Sequence, residues 1–313
     1  MIGTILSVIA AAALLYAGPL LVLLAALLFA VLLFKLAPNF ANAREFSRKM
    51  QVSGYLPEPP SDAGQRWMEG LSGFMVWWLV GKVEVVGLEK LDANAGKPTM
   101  ICPDHPNMTD VVIVPHAIKR KARYMAAAAV MSSFGGFGGW VAGRLGAFGC
   151  DLRKGKGGPA REAAIKTLVT RQILAMWPEG WTNMSATMGP MKKGAVNIAK
   201  TAAEQLGETV YIYPVHLHYS IYPGRWIKSF RIDHQYWMVV LCYPFFRRGC
   251  KVIIGDPLAS NTLDAEAAQA LAQGKLAGDP TADLDDVDGV GTAYLKSKIE
   301  ELKSKELADR ARR

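Results

Sequence analysis

Hydrophobic and polar positions divide the chain into three stretches of different texture. Residues 2–34 form an almost unbroken apolar run, and the first charged side chain is Lys35. From residue 83 onward short β-type runs alternate with helical ones. Residues 83–87 and 99–102 read as strands, the second of them buried, and 110–118 as the helix leaving that second strand. A helix is predicted over 160–172, a strand over 173–177 running into Pro178, and a helix over 193–206. Two more strands follow at 210–217 and 251–254. Strands alternating with helices of about a dozen residues predict an α/β fold, a largely parallel β-sheet flanked by helices. Sites in such sheets gather where strands end and helices begin. Residues 262–313 are rich in Ala, Lys, Glu and Asp and poor in aromatics, which predicts solvated helices joined by an acidic loop.

A helix needs about 20 apolar residues to cross the hydrocarbon core, so the N-terminal run suffices for one long tilted span. It exceeds the ~7–15-residue apolar region of a signal peptide, and no basic segment precedes it. Gly18-Pro19 leaves two shapes open, one kinked helix or two half-length helices re-entering one leaflet, because a mid-helix proline removes a hydrogen bond. Lys35, Arg44, Arg48 and Lys49 follow, and by the positive-inside rule they put the rest of the chain on the cytoplasmic face. A second apolar stretch, 71–80 with Trp77-Trp78, is too short to span. It is either a core helix or an interfacial segment with its indoles at headgroup level. Pro57-Glu-Pro-Pro60 reads as a linker.

Composition sharpens this picture. The 313 residues are 51% hydrophobic and 20% charged, apolar even for a chain this long. A formal charge of +9 favours anionic partners: membrane lipids, phosphate esters or an acidic carrier protein. The basic residues are scattered rather than interleaved with aromatics, which argues against nucleic acid. Cys102, Cys150, Cys242 and Cys250 form no CxxC pair, so neither a zinc site nor a dithiol motif is expected. His216 and His218 alternate on one strand and His234 lies downstream, but the spacing supplies no third metal ligand. The run Ser133-Phe-Gly-Gly-Phe-Gly-Gly-Trp140 lacks the lysine of a phosphate loop, and predicts close backbone approach or a stretch near an apolar chain.

The chemistry concentrates at His105 and Asp110, in Asp104-His-Pro-Asn-Met-Thr-Asp110. A histidine at a strand end can be met by a carboxylate from the first turn of the next helix. That carboxylate fixes the tautomer and leaves the other ring nitrogen as a general base. The plainer alternative is a histidine that finishes the strand and an aspartate favoured by the helix dipole.

The segment 104–110 resembles the first motif, N-H-x-S-x-x-D, of the glycerolipid acyltransferases of the 1-acylglycerol-3-phosphate acyltransferase type. Gly146-Ala-Phe-Gly-Cys-Asp-Leu-Arg153 resembles the second motif, Trp177-Pro-Glu-Gly180 the third (F-P-E-G-T-R-S) and Tyr213-Pro-Val215 the fourth. Met191-Lys-Lys-Gly-Ala195 resembles the K-K-G-A segment that follows the third. The resemblance spans about 83–257 and keeps the family's order. It implies an O-acyltransferase in which His105, oriented by Asp110, deprotonates a substrate hydroxyl. That oxygen then attacks the thioester of acyl-CoA or of an acyl carrier protein, with neither metal nor other cofactor. It further implies that Pro178, Glu179, Gly180, Thr182 and Lys193 line the acceptor site and that Arg153 holds a phosphate. The domains expected are an anchor (1–36), a linker with interfacial helices (37–82), the catalytic domain (83–260) and a polar helical extension (261–313).

Three departures from the pattern narrow the acceptor. Asp104 stands where Asn is usual, a second carboxylate expected to raise the pKa of the histidine. Asn107 replaces the serine, and Trp181-Thr182-Asn183 replaces Thr-Arg-Ser, so the motif's arginine is Thr182. A lysophospholipid with a larger headgroup, a non-catalytic lipid-binding protein and a thioester hydrolase are the competing readings. The sequence leaves the oligomeric state open.

Overall fold

The computed structural model describes residues 23, 24, 27, 40–59, 61–153, 157–220, 222, 249–276 and 284–312. The anchor expected over 1–36 lies almost wholly outside the described residues, as do Cys242 and His234. Among the described residues, no helix is long and apolar enough to cross a membrane.

Two helices come first, α1 (Phe40–Met50) and α2 (Asp62–Leu79). Ser61 caps α2, its hydroxyl accepting from the Gly64 amide at 3.1 Å. There follow β1 (Val83–Val86), α3 (Glu89–Ala93), β2 (Thr99–Pro103), α4 (Asp110–Ile118) and β3 (Ala122–Ala127). Next come α5 (Ala128–Ser132), a 3-10 turn (Ser133–Gly136), α6 (Phe137–Arg144), β4 (Ala147–Cys150), α7 (Gly158–Val169) and β5 (Ile173–Ala175). The chain continues through α8 (Gly194–Leu206), β6 (Tyr211–Tyr219), β7 (Cys250–Ile254), β8 (Leu258–Ala259), α9 (Leu263–Ala272) and α10 (Val287–Ala311).

The sheet order is β1-β7-β6-β2-β5-β3-β4, with β8 beside the first half of β6. Strands β6, β2, β5, β3 and β4 run parallel, whereas β7 opposes β6 and runs parallel to β1. The fold is thus mixed α/β with a mostly parallel sheet flanked by helices. Every residue of the central strand β2 is buried, as two covered faces require, while the edge strand β1 alternates. One core packs α2 and α4 against Tyr213, Val215 and Leu217 of β6. The other packs α7, α8 and α10 against Met100, Leu174 and Ile212.

The 71–80 stretch belongs to α2. Val76, Leu79 and Val80 are buried in the first core, while Phe74 and Trp77 are 39% and 54% exposed. The segment thus packs one face into the core and turns an aromatic face outward. The glycine-rich run forms the 3-10 turn and α6, and its glycines allow α1 to lie close. A Cβ on Gly143 would meet Met50 Sδ at 2.6 Å and Phe46 Cζ at 2.7 Å. The C-terminal helices depart from the solvated expectation, because α10 buries Leu295, Ile299 and even Lys296 and Glu306.

Candidate active site

Parallel strands deliver their C-terminal ends to one edge of the sheet. There β2 ends at Pro103, β5 leads through Met176 and Trp177 into Pro178, and β4 leads to Asp151. His105 lies two residues past the end of β2 and Asp110 opens α4. His105 Nδ1 lies 2.8 Å from Asp110 Oδ2, and the same oxygen accepts from the Asn107 amide at 2.9 Å. Asp110 Oδ1 accepts from the Tyr219 hydroxyl, which also lies 2.9 Å from Thr109 Oγ1. Burial pushes the Asp110 carboxyl above its ordinary range, and the His105, Tyr219 and Asn107 hydrogen bonds draw it back toward ionisation. With the Nδ1 proton directed at Asp110, Nε2 is left as an acceptor. The hydroxyl of Thr182 sits 3.2 Å from it.

The loop after β5 is locked to the histidine's main chain. Glu179 Oε1 accepts from the His105 amide at 2.7 Å, and Glu179 Oε2 accepts from the Gly189 amide at 2.7 Å and from the Asn183 side chain. The Asn183 amide donates to the His105 carbonyl at 2.7 Å. Glu179 is buried, and burial raises its carboxyl against the pull of the Gly189 and His105 amides. Pro178 is buried and its carbonyl accepts from the Lys192 amide at 2.9 Å. Gly180 holds φ +70°, and a Cβ there would meet Lys192 Nζ at 2.9 Å.

Asp104 requires a correction. Its carboxylate accepts from His216 Nδ1 at 2.6 Å and from the Leu217 amide at 2.8 Å, so it serves His216 rather than His105. The β2–β6 register, which pairs Pro103 with Val215, brings the two together. Arg153 is 80% exposed at its side chain and is bound by its Nε to Asp151 Oδ1 at 3.0 Å. Lys193 pairs with Asp286 Oδ2 at 2.9 Å, at the start of α10. The structure thus brings Pro178, Glu179, Gly180 and Thr182 around His105 and Asp110, and engages Arg153 and Lys193 with carboxylates of their own. Among the described residues, no group of three His, Cys, Asp or Glu side chains converges as a metal site.

Sequence reasoning missed Tyr219, Asn183 and Lys192. Tyr219 is 109 residues from Asp110, and only the strand alternation of β6 hinted that it shares a face with Leu217.

The model of the Acyltransferase family matches residues 82–218. Among curated proteins none matches the chain. Among solved structures the 1-acyl-sn-glycerophosphate (LPA) acyltransferase PlsC from Thermotoga maritima is similar, at 16% identity over 76% of this chain and 79% of that one, with a TM-score of 0.49.

Proposed function

With residues 82–218 forming a domain of the Acyltransferase family, we propose that the chain moves a fatty acyl group from an acyl thioester to the hydroxyl of a lysophospholipid such as 1-acyl-glycerol-3-phosphate. The observation that carries this reading is the buried His105–Asp110 pair, with a hydroxyl already at Nε2. Asp110 orients the ring and stabilises the imidazolium, and Nε2 takes the proton of the attacking hydroxyl. The oxygen attacks the thioester carbon, the C–S bond breaks, and the imidazolium returns the proton to the thiolate. Acyl-CoA or an acyl carrier protein is the donor, and the chain's own residues need no other cofactor for these steps. Glu179 acts as a positioning residue, because it holds the His105 main chain rather than the reacting atoms.

A different headgroup is the second reading for the acceptor. It is favoured by Thr182 at the motif's arginine position and by the pairing of Arg153 and Lys193 with Asp151 and Asp286. The residues before the domain fit a membrane anchor with the domain on the cytoplasmic face, where lysolipid and donor both meet it.

Purified protein offered labelled acyl-CoA and lysolipids of several headgroups, with products resolved by mass, tests both readings. Transfer to 1-acyl-glycerol-3-phosphate above all others supports the first, and preference for another lysolipid supports the second. Unchanged transfer by a folded His105→Ala protein would sink the mechanism.

A further inference from the structure

Asp104 and His105 are neighbours in the chain, yet their side chains belong to two different pairs. His105 turns toward Asp110, whereas the Asp104 carboxylate turns to β6 and accepts from His216 Nδ1 at 2.6 Å and from the Leu217 amide at 2.8 Å. The Asp104 amide itself donates to the Val215 carbonyl at 3.0 Å. Asp104 is thus tied to three consecutive residues of β6. On the other side of the same dipeptide, Glu179 Oε1 accepts from the His105 amide and the Asn183 amide donates to the His105 carbonyl, each at 2.7 Å. The turn that aims the imidazole is therefore held from both neighbours of β2, from β6 through residue 104 and from the loop after β5 through residue 105. His216 and Asp104 are 1% and 3% exposed, so water offers neither of them a substitute partner. His216 Nε2 is buried with no hydrogen-bond partner among the described residues. An apolar side chain would fill this place in β6 at lower cost, so the bond to Asp104 is what the histidine supplies.

We propose that His216 is a positioning residue for acyl transfer, acting through Asp104 to fix the turn after β2 that points His105 at the reacting hydroxyl. The proposal rests on the reading of His105 as general base. The contribution of His216 is geometric. A general base must keep its lone pair in line with the hydroxyl, and a misplacement of about 1 Å can cost about a hundredfold in rate. The pair also accounts for the departure from the motif at residue 104. Asp104 offers one oxygen to His216 and the other to the Leu217 amide. Asn at this place has one oxygen and one NH2 for the same two partners. With the NH2 toward Leu217, two donors oppose each other. With the NH2 toward Nδ1, the ring proton must move to Nε2, where a buried N–H finds no partner. Asp104 and His216 are therefore a matched set, and each fails without the other.

The test is steady-state kinetics of the full chain with palmitoyl-CoA and a lysolipid that the wild type accepts, each varied in turn, alongside thermal melts. In folded His216→Leu, kcat is expected to fall about ten- to a hundredfold, while KM for both substrates stays within about twofold. His216→Gln, whose amide can still donate to Asp104, recovers most of that loss. Asp104→Asn falls as His216→Leu does. Combining Asp104→Asn with His216→Gln sets two amides face to face, and the double variant is expected to exceed Asp104→Asn alone. A folded His216→Leu protein with a lower melt but the wild-type kcat overturns the proposal, since the pair is then structural only. So does a rise in KM at unchanged kcat, and so do losses in Asp104→Asn and His216→Leu that simply multiply when combined. If His216→Leu does not fold, His216→Gln, Asp104→Asn and their combination decide by the same criteria. A His105→Ala protein that still transfers removes the general-base reading itself. An inactive His105→Ala beside a fully active His216→Leu removes only the role of His216.

Discussion

At His105 the ring and the main chain are held by different carboxylates, and the two give different predictions. Asp110 touches the ring, so its support matters to the proton. Tyr219→Phe removes one of its donors without altering volume. A hydrogen bond to a charged group contributes about 1.5–3 kcal/mol, so kcat is expected to fall by about ten- to a hundredfold with little change in KM. An unchanged kcat would show that Tyr219 is a packing residue. Glu179 touches the backbone, and Glu179→Gln sets an amide N–H against the His105 or Gly189 donor. The expectation is a lower melting temperature together with lower kcat, both partly restored by Glu179→Asp only if the shorter arm still reaches. A melt unchanged from wild type would remove the bracing role. That His105 and Asp110 meet was legible in the sequence, because strand end and first helical turn lie five residues apart, whereas their assignment to catalysis came from the ordered motifs of the resemblance. The role of Glu179 was not, since an acceptor of main-chain amides leaves no side-chain pattern. Asp104 was misassigned for a related reason, as His216 is 112 residues away and meets it only through strand register.

Among the elements, those with strong apolar texture were readable. Thr99–Pro103 and Asp110–Ile118 fall where their sequences place them, because a buried run and an N-terminal aspartate before apolar residues are local signals. Ala122–Ala127 gave no such signal. It is alanine-rich and carries Arg123, which is buried only because Gln172 Oε1 and the Glu58 carbonyl accept from its guanidinium at 2.8 and 3.2 Å. The Ser133–Trp140 run was legible as close approach but not as to what approaches. The structure supplies α1, with Phe46 and Met50 over Gly143. Gly143→Ala therefore forces those side chains apart, an overpacking cost of about 1–3 kcal/mol. Thermal unfolding is expected to fall by several degrees, with acyl transfer by the folded protein retained. A melt equal to wild type would mean that α1 adapts without cost.

Across the whole molecule, the polar C-terminal helix is the part whose sequence misled most. Long lysine and glutamate stems let α10 cover the sheet while its charges find partners, as Glu306 does with Lys251 Nζ at 2.7 Å and Arg310 Nε at 2.8 Å. This cover makes His218 of β6 a sensor of acid. Burial lowers its pKa from 6.5 to about 4, helped by Arg310, His216 and Lys251 and opposed by Glu306. Because the folded value lies below the unfolded one, the unfolded chain binds more protons between about pH 4 and pH 6.5, and stability rises with pH across that window. The contribution is fully present above pH 6.5 and is lost as pH falls through about 4. Between pH 7 and pH 5 the expected loss is about 2 kcal/mol, because a tenfold rise in proton activity below the unfolded pKa favours the unfolded chain by about 1.4 kcal/mol per proton. The informative quantity is the difference between wild type and His218→Gln in urea midpoints at the two pH values. The variant is expected to be less stable at pH 7 but to lose less on acidification. Equal losses in both proteins would show that α10 leaves His218 free to charge, and that the acid sensitivity of the fold resides elsewhere.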